Sequence, residues 1–274
     1  MDFLDKIRYN HLVEFLNDYK KIAKFNFESY LDETKLLLNY YQKGTSSESG
    51  KLFIHDIEKK WYKSLKEGDP DYTVYDHPKF VIDLWACWKI YSRAYIKNIK
   101  DPKVFDYIKS KGINHIVDIG CGLGYSTVAL KQLFDCKVSA TNSQNSFQYK
   151  YCKHLFKPFH IKIAPDVSSF KKCDLVFASE YFEHFEAPIK HLLYILENTK
   201  PKFIIFANAF GSKAIGHFNI YLINGIKIEN KKVGRLFNKI LKEKGYIRME
   251  TGFYNNRPYI FEKIKNNSKQ LQLF

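Results

Sequence analysis

The rhythm of apolar positions along this chain changes near residue 115. Upstream it is helical: Phe3, Ile7, His11, Phe15, Tyr19 and Ile22 recur every three or four residues, and a second run gathers around Tyr30, Leu37 and Tyr41. Two helices are expected over residues 2–43. Gly44-Thr45-Ser46-Ser47-Glu48-Ser49-Gly50 has little to bury and reads as a solvated linker or as a loop that orders over a ligand. Lys51 to Lys66 predicts a third helix, broken by Gly68-Asp69-Pro70-Asp71. After Pro78 an aromatic-rich helix is expected over Phe80 to Ile99, whose rings read as the core of a helical cap.

From His115 onward short apolar runs alternate with amphipathic stretches. His115 to Ile119, Lys137 to Thr141, Leu175 to Ser179 and Phe203 to Ala207 read as buried strands, and Tyr125 to Phe134, Asn145 to Phe156 and Pro188 to Glu197 as helices. This alternation predicts an α/β fold: a mostly parallel sheet with helices on both faces and ligands over the carboxyl ends of its strands. Lys232 to Lys244 reads as a further helix, Tyr246 to Gly252 and Pro258 to Lys263 as paired strands, and the Asn224-Gly225 dipeptide between apolar runs as a hairpin turn. The expected organisation is a cap or substrate-shaping region over 1–110, a ligand-binding domain over 111–264 and a polar tail over 265–274.

Composition adds modest constraints. With 274 residues and 45% hydrophobic content, the chain can bury one sizeable core or a core plus a smaller cap. No apolar stretch approaches the roughly 20 residues of a membrane span, and the start lacks the pattern of a secretory signal, so a cytoplasmic location is expected. The five cysteines form no Cys-x-x-Cys pair, which argues against a zinc cage or a disulfide framework. The net charge of +15 divides unevenly, about +2 over the first 110 residues and about +13 over the remainder.

Chemistry concentrates after the first strand. In Val117-Asp118-Ile119-Gly120-Cys121-Gly122-Leu123-Gly124 three alternating glycines let the backbone approach a ligand closely, just before a helix start containing Ser126 and Thr127. Cys121 reads as a small residue between glycines, with a reactive thiol as the alternative. The segment resembles the first motif of class I S-adenosylmethionine-dependent methyltransferases, and the order of elements from His115 to the end follows that family. The resemblance implies a Rossmann-like, seven-stranded fold with S-adenosylmethionine as cofactor. It also implies cofactor contacts at Asp118, Gly120, Cys121, Gly122, Gly124 and Ser179. Asn142 stands where the family usually has an acidic ribose ligand, a departure shared with cyclopropane fatty-acid synthases. Asp166 falls at the adenine position, with turn capping as the alternative. Arg93 is a candidate for the cofactor's carboxylate, for which a guanidinium fork is suited.

The fourth strand runs into Glu180-Tyr181-Phe182-Glu183-His184. This Glu-x-x-Glu-His resembles ubiquinone-pathway O-methyltransferases and, more distantly, small-RNA 2′-O-methyltransferases. The resemblance implies that Glu180, Glu183 and His184 can ligate Mg²⁺ or Mn²⁺; His184 as a general base or as a packed helix-start residue stays open. His217 can serve as a further ligand or as the base that takes the acceptor's proton. Glu183, His184 and His217 are thus the catalytic candidates. The leading expectation is methylation of a hydroxyl on a small molecule or glycan, such as a sugar or phenolic. Two alternatives stand beside it: a nucleic-acid methyltransferase using the basic run Lys227, Lys231, Lys232, Arg235, Lys239, Lys242, Lys244 and Arg248, and a non-catalytic protein that senses the cofactor.

Overall fold

The computed structural model describes residues 14–18, 20–22, 48–85, 103–249 and 258–264. Its centre is a seven-stranded sheet built from β1 (His115–Ile119), β2 (Lys137–Thr141), β3 (Lys162–Ala164), β4 (Leu175–Ser179), β5 (Phe203–Ala207), β8 (Tyr246–Met249) and β9 (Tyr259–Lys263). The strands lie in the order β3-β2-β1-β4-β5-β9-β8, parallel from β3 to β5, with β9 antiparallel to β5 and to β8. The order reverses between β1 and β4, where an open α/β sheet holds a ligand crevice at its carboxyl edge. The remaining strands, β6 (Ile220–Ile223) and β7 (Ile226–Glu229), form a separate hairpin. Asn224 and Gly225 at its turn have φ of 51° and 79°, the left-handed pair that a tight hairpin needs and that Asn-Gly supplies cheaply.

The helices are α1 (Glu48–Glu67), α2 over 78–85, α3 (Lys103–Ser110), α4 (Tyr125–Phe134), α5 (Phe147–Phe156), α6 (Pro188–Thr199) and α7 (Asn230–Glu243). Although β4 and β5 read as unbroken apolar runs, period-2 geometry divides them between two cores. Val176, Ala178, Ile204 and Phe206 join Val117, Ile119 and the buried faces of α1, α6 and α7. Leu175, Phe177, Phe203 and Ile205 join Ile116 and the side chains of α3, α4 and α5. A third cluster unites Phe15, Val81, Ile82 and Trp85 with Leu123 of the glycine segment and Tyr151 of α5, so the described part of the expected cap covers that loop. Phe15 stacks on Trp85 at 5.5 Å and meets Tyr151 edge-on at 5.4 Å.

Strands β1, β2, β4 and β5 and helix α4 occupy the residues the apolar pattern indicates. Helix α5 begins at Phe147 rather than Asn145, because Ser146 caps it by accepting from the Tyr149 amide. Helix α3 and the three-residue β3 are additions that the pattern did not predict. Most of residues 2–43, and the expected helix beyond residue 85 with Arg93, lie outside the described residues, as do residues 44–47 of the expected linker and the polar tail; Glu48, Ser49 and Gly50, expected in that linker, are instead the first residues of α1. No described helix is long and apolar enough to cross a membrane.

Candidate functional site

Two groups of residues gather at the carboxyl edge of the sheet. The first is the glycine loop between β1 and α4. Gly120, Gly122 and Gly124 have φ of 67°, 55° and 83°, values that a side chain would strain. The loop is bonded outward to β2: Gly120 donates its amide to Thr141 Oγ1 at 3.2 Å and Cys121 donates to the Thr141 carbonyl at 3.0 Å. Gly124 closes the turn by donating to the Cys121 carbonyl at 2.8 Å. Among the described residues the amides of Gly122 and Leu123 meet no protein acceptor, which leaves two donors for a ligand.

Asp118 supports this loop from below rather than lining it. It is buried, and one carboxylate oxygen accepts from both Ser126 Oγ at 2.7 Å and Thr127 Oγ1 at 2.6 Å. Burial raises its pKa to about 6 against the pull of those two hydroxyls. Cys121 is buried with its sulfur 3.7 Å from that of Cys152, and burial pushes its thiol well above the ordinary range. A packed small residue is therefore the reading that fits; among the described residues no positioned base accompanies it.

Asn142 and Asp166 are also engaged within the chain. Asn142 donates Nδ2 to the Gly122 carbonyl at 2.9 Å while its Oδ1 accepts from the Ser143 amide at 2.8 Å, so it ties β2 to the loop. Asp166 accepts from the Ser168 amide at 2.8 Å and from Tyr194 Oη at 2.6 Å, the turn-capping alternative. Burial alone would raise its pKa, but these hydrogen bonds outweigh it and hold the carboxyl below the usual range. Ser179 is buried at the end of β4, and its hydroxyl has no hydrogen-bond partner among the described residues.

The second group follows β4 and β5. Glu183, His184 and His217 present ligand-type atoms within 4.8 Å of one another, and the two imidazole rings meet edge-on at 4.8 Å between centroids. Glu183 is fully buried; Oε1 accepts from the Ala209 amide at 2.7 Å, and Oε2 has no partner among the described residues. Burial and the neighbouring Glu180 charge hold the Glu183 carboxyl well above the usual carboxylate range. Burial, and then the adjacent His217, depress His184 to about 3, against nearby carbonyls of Gly216 and Glu180 that favour its proton. His217 is buried, and its Nδ1 lies 2.9 Å from the Ser212 carbonyl, so Nδ1 carries a hydrogen and Nε2 the lone pair.

The expected metal set of Glu180, Glu183 and His184 is thereby changed. Helix geometry would bring Glu180 and His184 onto one face, but only Phe182–His184 winds, as a three-residue 3₁₀ turn. Glu180 lies before it, exposed and left-handed at φ 48°, beside the trio rather than in it. His217, expected as a further ligand, is the residue grouped with Glu183 and His184. A carboxylate oxygen without a partner next to two imidazoles suits a divalent cation, so Glu183, His184 and His217 fit the group that the sequence implied.

Aromatic side chains distant in sequence hold the trio. Trp61 of α1 donates Nε1–H to the His217 carbonyl at 3.0 Å, and Tyr221 of β6 donates to the Glu183 carbonyl at 3.1 Å. Tyr75, in the turn between α1 and α2, lies 2.7 Å through its hydroxyl from His184 Nδ1. Gly216, at φ 83°, makes room for that contact: a Cβ there would run into both the Tyr75 hydroxyl and His184 Nδ1. Tyr181 places its ring against Gly120, bonds His191 Nε2 at 2.8 Å through its hydroxyl and accepts the His184 amide at its carbonyl at 3.2 Å, so it borders the glycine loop and the trio together. The sequence pattern singled out none of Trp61, Tyr75, Tyr181 or Tyr221. The one local cue was Gly216 immediately before His217.

The basic run is spread over an exposed face. Lys232, Arg235, Lys239 and Lys242 line one side of α7, while Val233, Phe237 and Leu241 on the other side are buried.

No protein-family model matches this sequence, and no curated relative does. Solved structures resemble it in fold. An O-methyltransferase family protein from Burkholderia thailandensis superposes with a TM-score of 0.55 at 9% identity, covering 79% of this chain and 70% of that one. The methyltransferase domain of a bacterial Hen1 is 18% identical over 61% of this chain and 99% of its own, with a TM-score of 0.42. A SAM-dependent methyltransferase from Aquifex aeolicus is 17% identical over 61% and 93%, with a TM-score of 0.37. The seven-stranded, mostly parallel sheet and its flanking helices are the Rossmann-like methyltransferase fold.

Proposed function

We propose that this chain transfers a methyl group from S-adenosylmethionine to a hydroxyl acceptor. The observation that carries the reading is the placement of a three-glycine loop with two outward amides beside a buried carboxyl–imidazole trio at one sheet edge. When bound, S-adenosylmethionine supplies a methyl group on a positively charged sulfur. The amides of Gly122 and Leu123 hold it, and Ser179, whose buried hydroxyl has no partner among the described residues, offers a further donor. Asp118 keeps the loop in shape by tying the start of α4 to β1. Glu183 and the two histidines receive the acceptor hydroxyl and handle its proton; a Mg²⁺ or Mn²⁺ ion held by the same three residues would lower the pKa of that hydroxyl. A sugar or phenolic hydroxyl suits a trio bordered by aromatic side chains: the Tyr75 ring meets His184 edge-on at 5.7 Å and stacks on the exposed Tyr72 at 6.2 Å between centroids.

A nucleic-acid acceptor is the second reading, favoured by the exposed Lys232, Arg235, Lys239 and Lys242 stripe on α7. Phosphate contacts weaken steeply with salt, so salt-sensitive retention on RNA separates it from the first.

The test is calorimetry with S-adenosylmethionine on the wild-type chain and on Gly122→Arg, followed by labelled cofactor incubated with fractionated host lysate. Binding by the wild type, its loss in the variant and label entering a small-molecule or glycan fraction are expected. Undiminished affinity in Gly122→Arg overturns the loop assignment, and cofactor binding without transfer to any fraction points to a sensor.

A further inference from the structure

The short turn Tyr72–Asp76 is held from both ends. Asp71 caps it by accepting the Thr73 amide at 3.0 Å and pairs with Lys60 Nζ of α1 at 2.8 Å, while Ser64 Oγ of α1 accepts the Asp71 amide at 3.0 Å. At the other end Asp76 Oδ1 accepts the Phe147 amide of α5 at 3.0 Å, and the Tyr75 carbonyl accepts from Gln148 Nε2 at 3.3 Å. Val74 is buried within the turn, but Tyr72 stays 51% exposed. A lone exposed ring is ordinary on a protein surface. This one is distinguished by where it is fixed. Its plane lies 13° from that of Tyr75 at 6.2 Å between centroids, and Tyr75 in turn meets His184 edge-on at 5.7 Å. Tyr72 is thus one ring outward from the trio, supported from α1 by the fully buried Trp61 at 5.7 Å.

The charges near that ring are of one sign. Glu186 follows His184 by two residues with its side chain exposed, and its carbonyl is fixed by accepting the Leu222 amide of β6 at 2.7 Å. Its charge reaches Tyr72, because burial and then Glu186 raise the pKa of that phenol. Glu180, also exposed, precedes the trio. Carboxylates in these places repel phosphate groups and accept hydrogen bonds from hydroxyls. We propose that Tyr72 is a specificity-determining residue: its exposed ring stacks on an uncharged ring of the acceptor that lies beyond the reacting hydroxyl. This rests on the methyltransfer reading and narrows its acceptor. A platform fixed before the acceptor arrives loses little conformational freedom on stacking, so the contact is retained as affinity. Sugars and phenolics share the flat apolar face that it needs, whereas a phosphodiester strand would bring its charges against Glu186.

Transfer from methyl-labelled S-adenosylmethionine into fractionated host lysate is followed for the full chain and three Tyr72 variants, with the labelled fraction titrated so that KM and kcat separate. Tyr72→Phe keeps the ring and should stay within about twofold of the wild type. Tyr72→Ala removes the ring, and Tyr72→Leu keeps apolar packing against Trp61 and Tyr75 without a flat face. Both should raise KM about tenfold, with kcat and the calorimetric affinity for S-adenosylmethionine unchanged. If Tyr72→Ala fails to fold, Tyr72→Leu decides. The labelled product should carry a ring, and its ultraviolet absorbance tells a phenolic from a sugar. An unmoved KM in Tyr72→Leu, or a Tyr72→Phe as impaired as Tyr72→Leu, overturns the stacking role. Label entering RNA, DNA or an acyclic compound overturns it as well. Absence of any transfer by the wild type overturns the methyltransfer reading and the Tyr72 role with it, whereas transfer indifferent to Tyr72 overturns that role alone.

Discussion

The glycine loop and the trio lie at the same sheet edge but are assembled over very different distances in sequence. Asp118 meets Ser126 and Thr127 eight and nine positions away, and Gly120 meets Thr141 across 21. His184 meets Tyr75 across 109 positions, and His217 is held by Trp61 across 156. A loop made by one β-α-β crossover is specified by its own short segment. A site pinned from α1 exists only once the whole domain has closed, so substitutions should damage the two halves separately.

The largest effect is expected from Gly124→Ala. Its φ of 83° strains any side chain, and the new Cβ would lie 2.6 Å from Phe156 Cε1 and 3.1 Å from Cys152 Sγ. Strain and overpacking together should cost about 3 kcal/mol, read as a lower denaturation midpoint, with cofactor affinity reduced. A variant of wild-type stability would sink the claim that the loop is sterically fixed. Next is Trp61→Phe, which leaves the buried His217 carbonyl without its donor at about 2 kcal/mol. Hydrogen exchange should rise in residues 208–219 while calorimetric cofactor affinity stays at the wild-type value; a matching loss of affinity would mean that the two halves are not separable. The smallest effect concerns His191, the partner of Tyr181 between the halves. Burial depresses its pKa from 6.5 to about 4. Between those values the unfolded chain binds a proton that the folded chain does not, so this contribution is present above pH 6.5 and is lost as pH falls toward 4. Since His191 is partly exposed, about 1 kcal/mol remains after solvent screening. His191→Gln should therefore lose less stability between pH 8 and pH 5 than the wild type in thermal melts, and equal slopes would remove His191 from the pH response.

The same difference explains what was legible in the sequence. Buried parallel strands announce themselves as apolar runs, and Gly120, Gly122 and Gly124 are fixed by local backbone geometry, so both could be placed from pattern alone. Helix α3 escaped because only Val104, Phe105 and Ile108 of its eight residues mark a buried face. The site divided likewise. Glu183 and His184 are adjacent and were found together. Glu180 was grouped with them on an assumed helical turn that the chain does not make, while His217, which the sequence offered only as a further ligand, belongs to a loop positioned by Trp61. Asn142 and Asp166 illustrate a further limit: short polar side chains at strand ends bond to their own turns as readily as to a ligand, and only the surrounding donors decide.

The bonds from Gly120 and Cys121 to Thr141 have a kinetic meaning as well. Because the loop is braced by the next strand as well as by its own turn, it acquires its full shape only after β1 and β2 have paired in parallel around α4, a step paid for in chain-closure entropy. On the proposed reading, S-adenosylmethionine added to a refolding chain would therefore leave the early phase untouched and slow only unfolding. A saturating cofactor should act as a latch on the finished domain, not as a template for building it.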